Sequence, residues 1–305
     1  MGGNKTVIAI QSISKAFGDV QSLDKVTARI GEGSIFGLIG SNGSGKSTLL
    51  RVMAGILRPD TGEVKYDGIP VWDRPDVKER IFYISDDQFF LPGSDIEENA
   101  KFLSSVYPRY NVAEALQLAR MFNLPEKRKI QSFSKGMQKQ TAILLGLAAH
   151  PDWLFCDETF DGLDPVMREM VKKLFAREVA ERKMTAVIAS HSLRELEDIC
   201  DHIGLLHKGG ILFESDIDEL KSQLHTVQAG FEKLPERIRC EGLHFVRITG
   251  RGNFITAVVG GEEEAVRAYF SSLSPLYFEL IPLTLEEIFI AEMEARGYDS
   301  GSFLE

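Results

Sequence analysis

Residues Gly40-Ser41-Asn42-Gly43-Ser44-Gly45-Lys46-Ser47-Thr48 form the pattern G-x-x-x-x-G-K-S-T. Each residue type in it has a use against a polyphosphate. Glycines let backbone N–H groups close around phosphate oxygens. Lys46 brings a point charge toward the β- and γ-phosphates, and the Ser47 hydroxyl is a hard ligand for Mg²⁺. The pattern follows the apolar run Ile35 to Ile39 and opens a helix at Lys46. A working phosphate loop needs that strand–loop–helix setting.

A second constellation lies at Trp153-Leu154-Phe155-Cys156-Asp157-Glu158, an apolar strand ending in two carboxylates. Adjacent strand residues point to opposite faces, so two roles require the strand to end here. Asp157 would hold Mg²⁺ through its water shell, and Glu158 would polarise an attacking water. Alone, Asp-Glu after a strand reads equally as a solvated turn; beside a phosphate loop it reads as a hydrolytic pair. His191 follows the apolar strand Thr185 to Ala189. A histidine there is commonly structural, but the C-terminal edge of an open α/β sheet is where ligands bind. Ser134-Lys135-Gly136-Met137-Gln138 opens the helix Gly136 to Ala149, whose N-terminus favours an anion; by itself this is an N-capped helix.

The elements that must position these residues alternate. Strands are expected at Val7 to Ile13, Val26 to Ile30 and Ile35 to Ile39, with an Asp-Gly hairpin at Tyr66-Asp67-Gly68. From about Asp95 to Ala149 the spacing is helical, at Ala100 to Val106, Val112 to Met121 and Gly136 to Ala149. Beyond it come the strand at Trp153, a helix Val166 to Ala180, the strand at Thr185, a helix Leu193 to Cys200, and strands Ile203 to Leu206 and Ile211 to Phe213. That order predicts an α/β fold with a mostly parallel core sheet, interrupted by a helical insertion at about 87–150. The texture shifts near 221–230. A hairpin at Phe245 to Ile248 and Phe254 to Val259, a helix Glu262 to Phe270 and a strand Leu276 to Ile281 follow. The capping box Thr284-Leu285-Glu286-Glu287 opens a final helix to about Arg296. We read residues 1–222 as one domain and 225–305 as a small α+β domain.

The chain has 305 residues, 44% hydrophobic and 26% charged, with net charge −10. Six of those ten net charges fall after residue 224. No segment has the basic balance that nucleic acid or an anionic lipid surface selects. The longest apolar stretch, Ala142 to Ala149, is far short of the roughly 18 residues a membrane span needs. Cys156, Cys200 and Cys240 have no paired spacing, which fits a reduced cytosolic compartment and argues against a zinc site. Met1-Gly2-Gly3-Asn4-Lys5-Thr6 fits the loose N-myristoylation pattern, for which a flexible start is the preferred reading.

Taken together, the residues over roughly 5–215 resemble the ATP-binding subunit of ABC transporters, a P-loop NTPase fold with an antiparallel β subdomain and an inserted helical subdomain. Ser134-Lys135-Gly136-Met137-Gln138 is similar to the family signature, usually LSGGQ; Phe133, Lys135 and Met137 depart from it. Leu163-Asp164 resembles the D-loop, and His191 the switch histidine at the γ-phosphate. Phe17 resembles the aromatic residue that stacks on adenine, although an ordinary core Phe is the alternative. By the spacing to Asn99, Asp86 stands where the family mostly has Gln as a metal ligand, with Gln88 two residues on.

The resemblance implies ATP hydrolysis with Mg²⁺, Glu158 and His191 catalytic, and Ser47, Asp157 and Asp86 at the metal. It implies a dimer, homo- or heteromeric, with each ATP between the loop Gly40 to Thr48 of one chain and Ser134, Gly136 and Asp164 of the other. It also implies docking onto a membrane-spanning subunit at the cytoplasmic face, without direct insertion. Gln88-Phe89-Phe90-Leu91-Pro92 is either a packed loop or the wall of a groove receiving a helix from that subunit. The tail resembles the extension of drug or peptide exporters. An importer subunit with an effector-binding tail is the alternative. A soluble ABC ATPase on ribosomes or DNA fits poorly with one cassette and an acidic chain, and a non-hydrolysing regulator with the presence of Glu158 and His191.

Overall fold

The computed structural model describes residues 6–235, 238–240 and 242–295. It divides into two units, Met1–Glu214 and Ser215–Glu305. The N-terminal pattern through Lys5 and the expected helix end at Arg296 lie outside the described residues.

In the first unit, β1 (Thr6–Phe17) and β2 (Val20–Gly31) pair antiparallel. Both run longer than their apolar alternation suggests. Register shifts interrupt the pairing, and Ser12 and Lys25 adopt positive φ of 49° each. Such irregularities break the two-residue period that sequence reading follows. Next come β3 (Ile35–Ile39), α1 (Lys46–Met53), β4 (Thr61–Tyr66) and β5 (Ile69–Pro70). The β4–β5 turn has Asp67 and Gly68 at φ 50° and 84°, the type I′ geometry that Asp-Gly favours. These strands form an antiparallel sheet ordered β2-β1-β4-β5.

The chain continues through α2 (Pro75–Lys78), β6 (Ile81–Ile84) and three helices, α3 (Ile96–Val106), α4 (Val112–Met121) and α5 (Lys135–Ala148). Asp95 and Glu98 form a reciprocal capping box on α3, and Asn111 caps α4. Then follow β7 (Trp153–Asp157), α6 (Pro165–Arg182), β8 (Thr185–Ser190), α7 (Leu193–Glu197), β9 (His202–His207) and β10 (Gly210–Asp216). The second sheet is ordered β10-β9-β3-β8-β7-β6, and every neighbouring pair from β9 to β6 is parallel. All residues of β3, β7 and β8 are buried, as expected of a parallel sheet covered on both faces. Leu38, Leu50, Tyr66, Phe155 and Ile8 share one apolar cluster, which joins the two sheets of this unit. The loops after β3, β6, β7 and β8 therefore emerge along one edge, where open α/β sheets bind ligands.

The second unit contains α8 (Ile217–Gln223), β11 (Leu224–Gly230), β12 (His244–Arg251), β13 (Phe254–Gly260), α9 (Glu263–Ser272), β14 (Tyr277–Pro282) and α10 (Leu285–Ala295). Its sheet is antiparallel, ordered β12-β13-β11-β14. Val227, Ala229, Ile255, Ala257 and Val259 alternate onto one face and pack with Val266 and Phe270 of α9. The break precedes α8 because that helix packs on β11 and α10. The Thr284–Glu287 capping box is formed in both directions, at 2.9 Å to the Thr284 N–H and 3.3 Å to the Thr284 hydroxyl.

Candidate active site

The phosphate loop is shaped by two glycines whose conformation no other residue takes without strain. Gly43 has φ 79° and Gly45 φ 108°. A Cβ on Gly45 would stand 2.5 Å from the Ser22 carbonyl oxygen. A Cβ on Gly40 would meet the Leu206 carbonyl at the same distance. Among the described residues, the buried hydroxyl of Ser44 has no hydrogen-bond partner. A loop lined by glycine backbone and an unsatisfied buried hydroxyl suits a ligand rich in acceptor oxygens.

Lys46, buried at 5% exposure, donates from Nζ to the carbonyls of Gly40 (2.6 Å) and Ser41 (3.3 Å) and pairs with Glu158 Oε1 at 3.3 Å. One helical position later, the Ser47 hydroxyl donates to Asp157 Oδ1 at 3.0 Å. Ser47 and Asp157 are hard oxygen donors set side by side, a pair that suits Mg²⁺, which takes one or two protein ligands and otherwise water and phosphate.

Two residues not singled out by sequence complete this corner. The Tyr83 phenol donates to Asp157 Oδ2 at 2.9 Å, and the Arg51 guanidinium lies close enough to Tyr83 and Asp157 for their charges to interact. Burial pushes the Asp157 carboxyl up, while hydrogen bonds from Ser47 and Tyr83 and the Arg51 charge pull the other way. Burial, with the Asp157 charge, pushes the Tyr83 phenol up to about 12, so it stays a donor. Arg51 lies four residues after Ser47, on the same helix face; that spacing was the available signal.

Glu158 takes φ 48°, a strained value for a non-glycine residue. Its N–H donates to the Ala189 carbonyl at 3.0 Å. Its Oε2 lies 2.9 Å from His191 Nδ1, and its carbonyl accepts from Lys139 Nζ at 2.6 Å. Lys139 was also missed; a lysine beginning ten consecutive buried residues on α5 was its signal.

The remaining expected residues lie on other elements. Asp86 follows β6, and its carboxylate faces Lys139 Nζ at 3.4 Å. The Gln88 amide donates to the carbonyls of Ser85 (3.0 Å) and Asp86 (2.7 Å). Ser134 caps α5 by accepting from the Met137 N–H, and Asp164 caps α6 from the Met167 N–H. Gly136 closely approaches the D-loop segment: a Cβ there would be 3.2 Å from the Gly162 carbonyl. The Thr48 hydroxyl accepts from Ser22 at 2.9 Å. Phe17 sits at the end of β1, 52% exposed, with Lys15 over its ring and outside the apolar core. Phe89 is 81% exposed at the mouth of a cavity lined also by Phe82, Phe90, Leu91, Phe102 and Leu103.

Comparison with known proteins identifies the family. The family model described as ABC transporter matches residues 23–161. The ABC transporter ATP-binding protein YtrB of Bacillus subtilis is 32% identical over 290 residues, covering 95% of this chain and 99% of YtrB. The bacitracin transport ATP-binding protein BcrA of Bacillus licheniformis is 29% identical over 223 residues, 72% of each chain. Among solved structures, an ATP-binding subunit of an ABC transporter superposes with TM-score 0.65 at 25% identity, covering 71% of this chain and 92% of that one.

Proposed function

The chain belongs to the family of ABC transporter ATP-binding proteins, and on that premise we propose that it works as a dimeric cassette driving export through a separate membrane-spanning subunit. ATP hydrolysis coupled to transport is the family's activity; the direction, the dimer and the residue roles are our reading. The observation that carries it is the convergence of Lys46, Ser47, Asp157, Glu158 and His191 at one sheet edge.

In this reading the loop from Gly40 to Thr48 binds the phosphates through backbone N–H groups, with Lys46 and Ser44 adding side-chain donors. Mg²⁺, when bound by Ser47 and Asp157, neutralises phosphate charge. Glu158 accepts the proton of the attacking water, and His191 orients the Glu158 carboxylate and donates toward the γ-phosphate. Phe17 stacks on the adenine. Ser134, Gly136 and Asp164 complete the site of the opposite protomer. In this chain Ser134 and Asp164 stand at N-termini of α5 and α6, where helix dipoles favour phosphate. If both protomers are this chain, the interface is two-fold and isologous.

We take the ATP-binding part to be the first unit, residues 1–214 rather than 1–222, and the accessory part to be residues 215–305, because α8 packs within the second unit. The similarity to YtrB runs through both, which favours a tail shared by a transport ATPase over an effector-binding regulatory domain. The exposed Phe89 and its cavity receive an apolar cytoplasmic helix of the membrane subunit. No helix among the described residues is long and apolar enough to cross a membrane. In this reading the chain attaches at the cytoplasmic face by docking onto the membrane subunit.

The test is Glu158→Gln. It abolishes turnover while permitting ATP-dependent dimer formation, read by light scattering of the eluting species. Unchanged hydrolysis in that variant overturns the base assignment.

A further inference from the structure

Every polar atom of Glu158 has a partner from a different segment. Its N–H reaches Ala189, Oε1 faces Lys46, Oε2 faces His191, and its carbonyl oxygen accepts from Lys139. A non-glycine residue at φ 48° keeps that conformation only where its surroundings over-determine it. Of the four contacts, two act on the backbone that carries the strain, the N–H to Ala189 and the carbonyl to Lys139, and only the second comes from a side chain. Lys139 is only 8% exposed, and a buried ammonium requires acceptors. At 2.6 Å the Glu158 carbonyl is the nearer of its two partners, and the Asp86 carboxylate, at 3.4 Å, supplies the countercharge.

We propose that Lys139 is a positioning residue that holds the Glu158 peptide in its catalytic geometry, and that Asp86 acts on hydrolysis through Lys139. The proposal rests on Glu158 being the general base. Asp86 is mostly exposed and lies on the loop between β6 and the helical insertion, whereas Lys139 is on α5 within that insertion. Movement of the Asp86 loop changes the charge balance at Lys139 and thereby the strained peptide. The departure of Asp86 from the glutamine usual at its position then has a physical role: an ammonium 3.4 Å away needs an anion, which an amide does not provide.

The experiment is a double-mutant cycle on the full chain. Steady-state ATPase kinetics, the Mg²⁺ dependence and a melting curve are recorded for wild type, Lys139→Met, Lys139→Arg, Asp86→Asn and the Lys139→Met/Asp86→Asn pair. Lys139→Met lowers kcat about 10- to 100-fold with KM for ATP within about twofold. Lys139→Arg recovers most of the rate. Asp86→Asn lowers kcat about threefold alone and has no further effect once Lys139 is Met, so the two changes are not additive.

Two results overturn the proposal on its own ground. One is a Lys139→Met enzyme of normal kcat. The other is an Asp86→Asn enzyme with a raised Mg²⁺ requirement whichever residue stands at 139, which would make Asp86 a metal ligand. A Lys139→Met chain that fails to melt cooperatively is replaced by Lys139→Gln, judged by the same criteria. If Glu158→Gln turns over normally, the proposed base falls and this inference with it. If Glu158→Gln is inactive and Lys139→Met is normal, only the positioning role falls.

Discussion

Nδ1 of His191 stands 2.9 Å from Oε2 of Glu158, while Lys46 Nζ stands 3.3 Å from Oε1 of the same carboxylate. A histidine after β8 and the lysine that opens α1 thus fix the two oxygens of one side chain after β7. Replacing His191 by Ala removes one of these restraints and, in the proposed reading, the contact to the γ-phosphate. We expect kcat to fall by about 100-fold or more with nucleotide affinity retained. Single-turnover hydrolysis alongside binding of a fluorescent ATP analogue measures both, and unchanged turnover would reduce His191 to a structural role.

Gly45→Ala tests the shape of the phosphate loop. The new Cβ enters a φ of 108° and collides with a backbone carbonyl, which has no rotamer to move. We expect nucleotide binding to be lost and stability to fall by about 1–3 kcal/mol. Urea denaturation followed by circular dichroism gives the second quantity.

Ser47→Ala removes one of the two oxygen donors set beside each other. The Mg²⁺ concentration for half-maximal turnover should rise about 10-fold or more. Chelation with EDTA should stop turnover of the wild type, and excess Mg²⁺ should restore it.

Burial pushes the Cys156 and Cys200 thiols well above the usual thiol range. At pH 8 both therefore hold their protons and are shielded, whereas Cys240 is only half-buried. A chromogenic disulfide reagent should titrate one thiol per native chain and three in guanidinium. Rapid reaction of all three in the native chain would contradict the burial of β7 and of the segment between α7 and β9.

In the second unit, Thr284→Ala breaks the reciprocal cap on α10. The first amides of that helix should lose about 1 kcal/mol of protection, seen by hydrogen exchange at residues 285–290.

Local spacing carried most of the first unit. The phosphate loop, the Asp-Glu strand end and the type I′ turn at Asp67-Gly68 each depend on neighbouring residues, whose types already state the backbone they need. The capping box at Thr284 was legible for the same reason. Strand lengths were less so, since the irregular pairing around Ser12 and Lys25 breaks the period on which they are read.

Lys139, Tyr83 and Arg51 had to wait for the folded chain. They come from α5, β6 and α1 and meet Asp157 and Glu158 only because the parallel sheet brings its strand ends to one edge. Periodicity reports which face of an element is apolar, and it holds no information on which residue dozens of positions away will lie opposite. The residue types of the candidate site were therefore written in the chain by their short spacing. The restraint on Glu158, and the pairing of Asp86 with a buried lysine, arose from packing between elements, where burial makes each unpaired charge or carbonyl costly enough to select its partner.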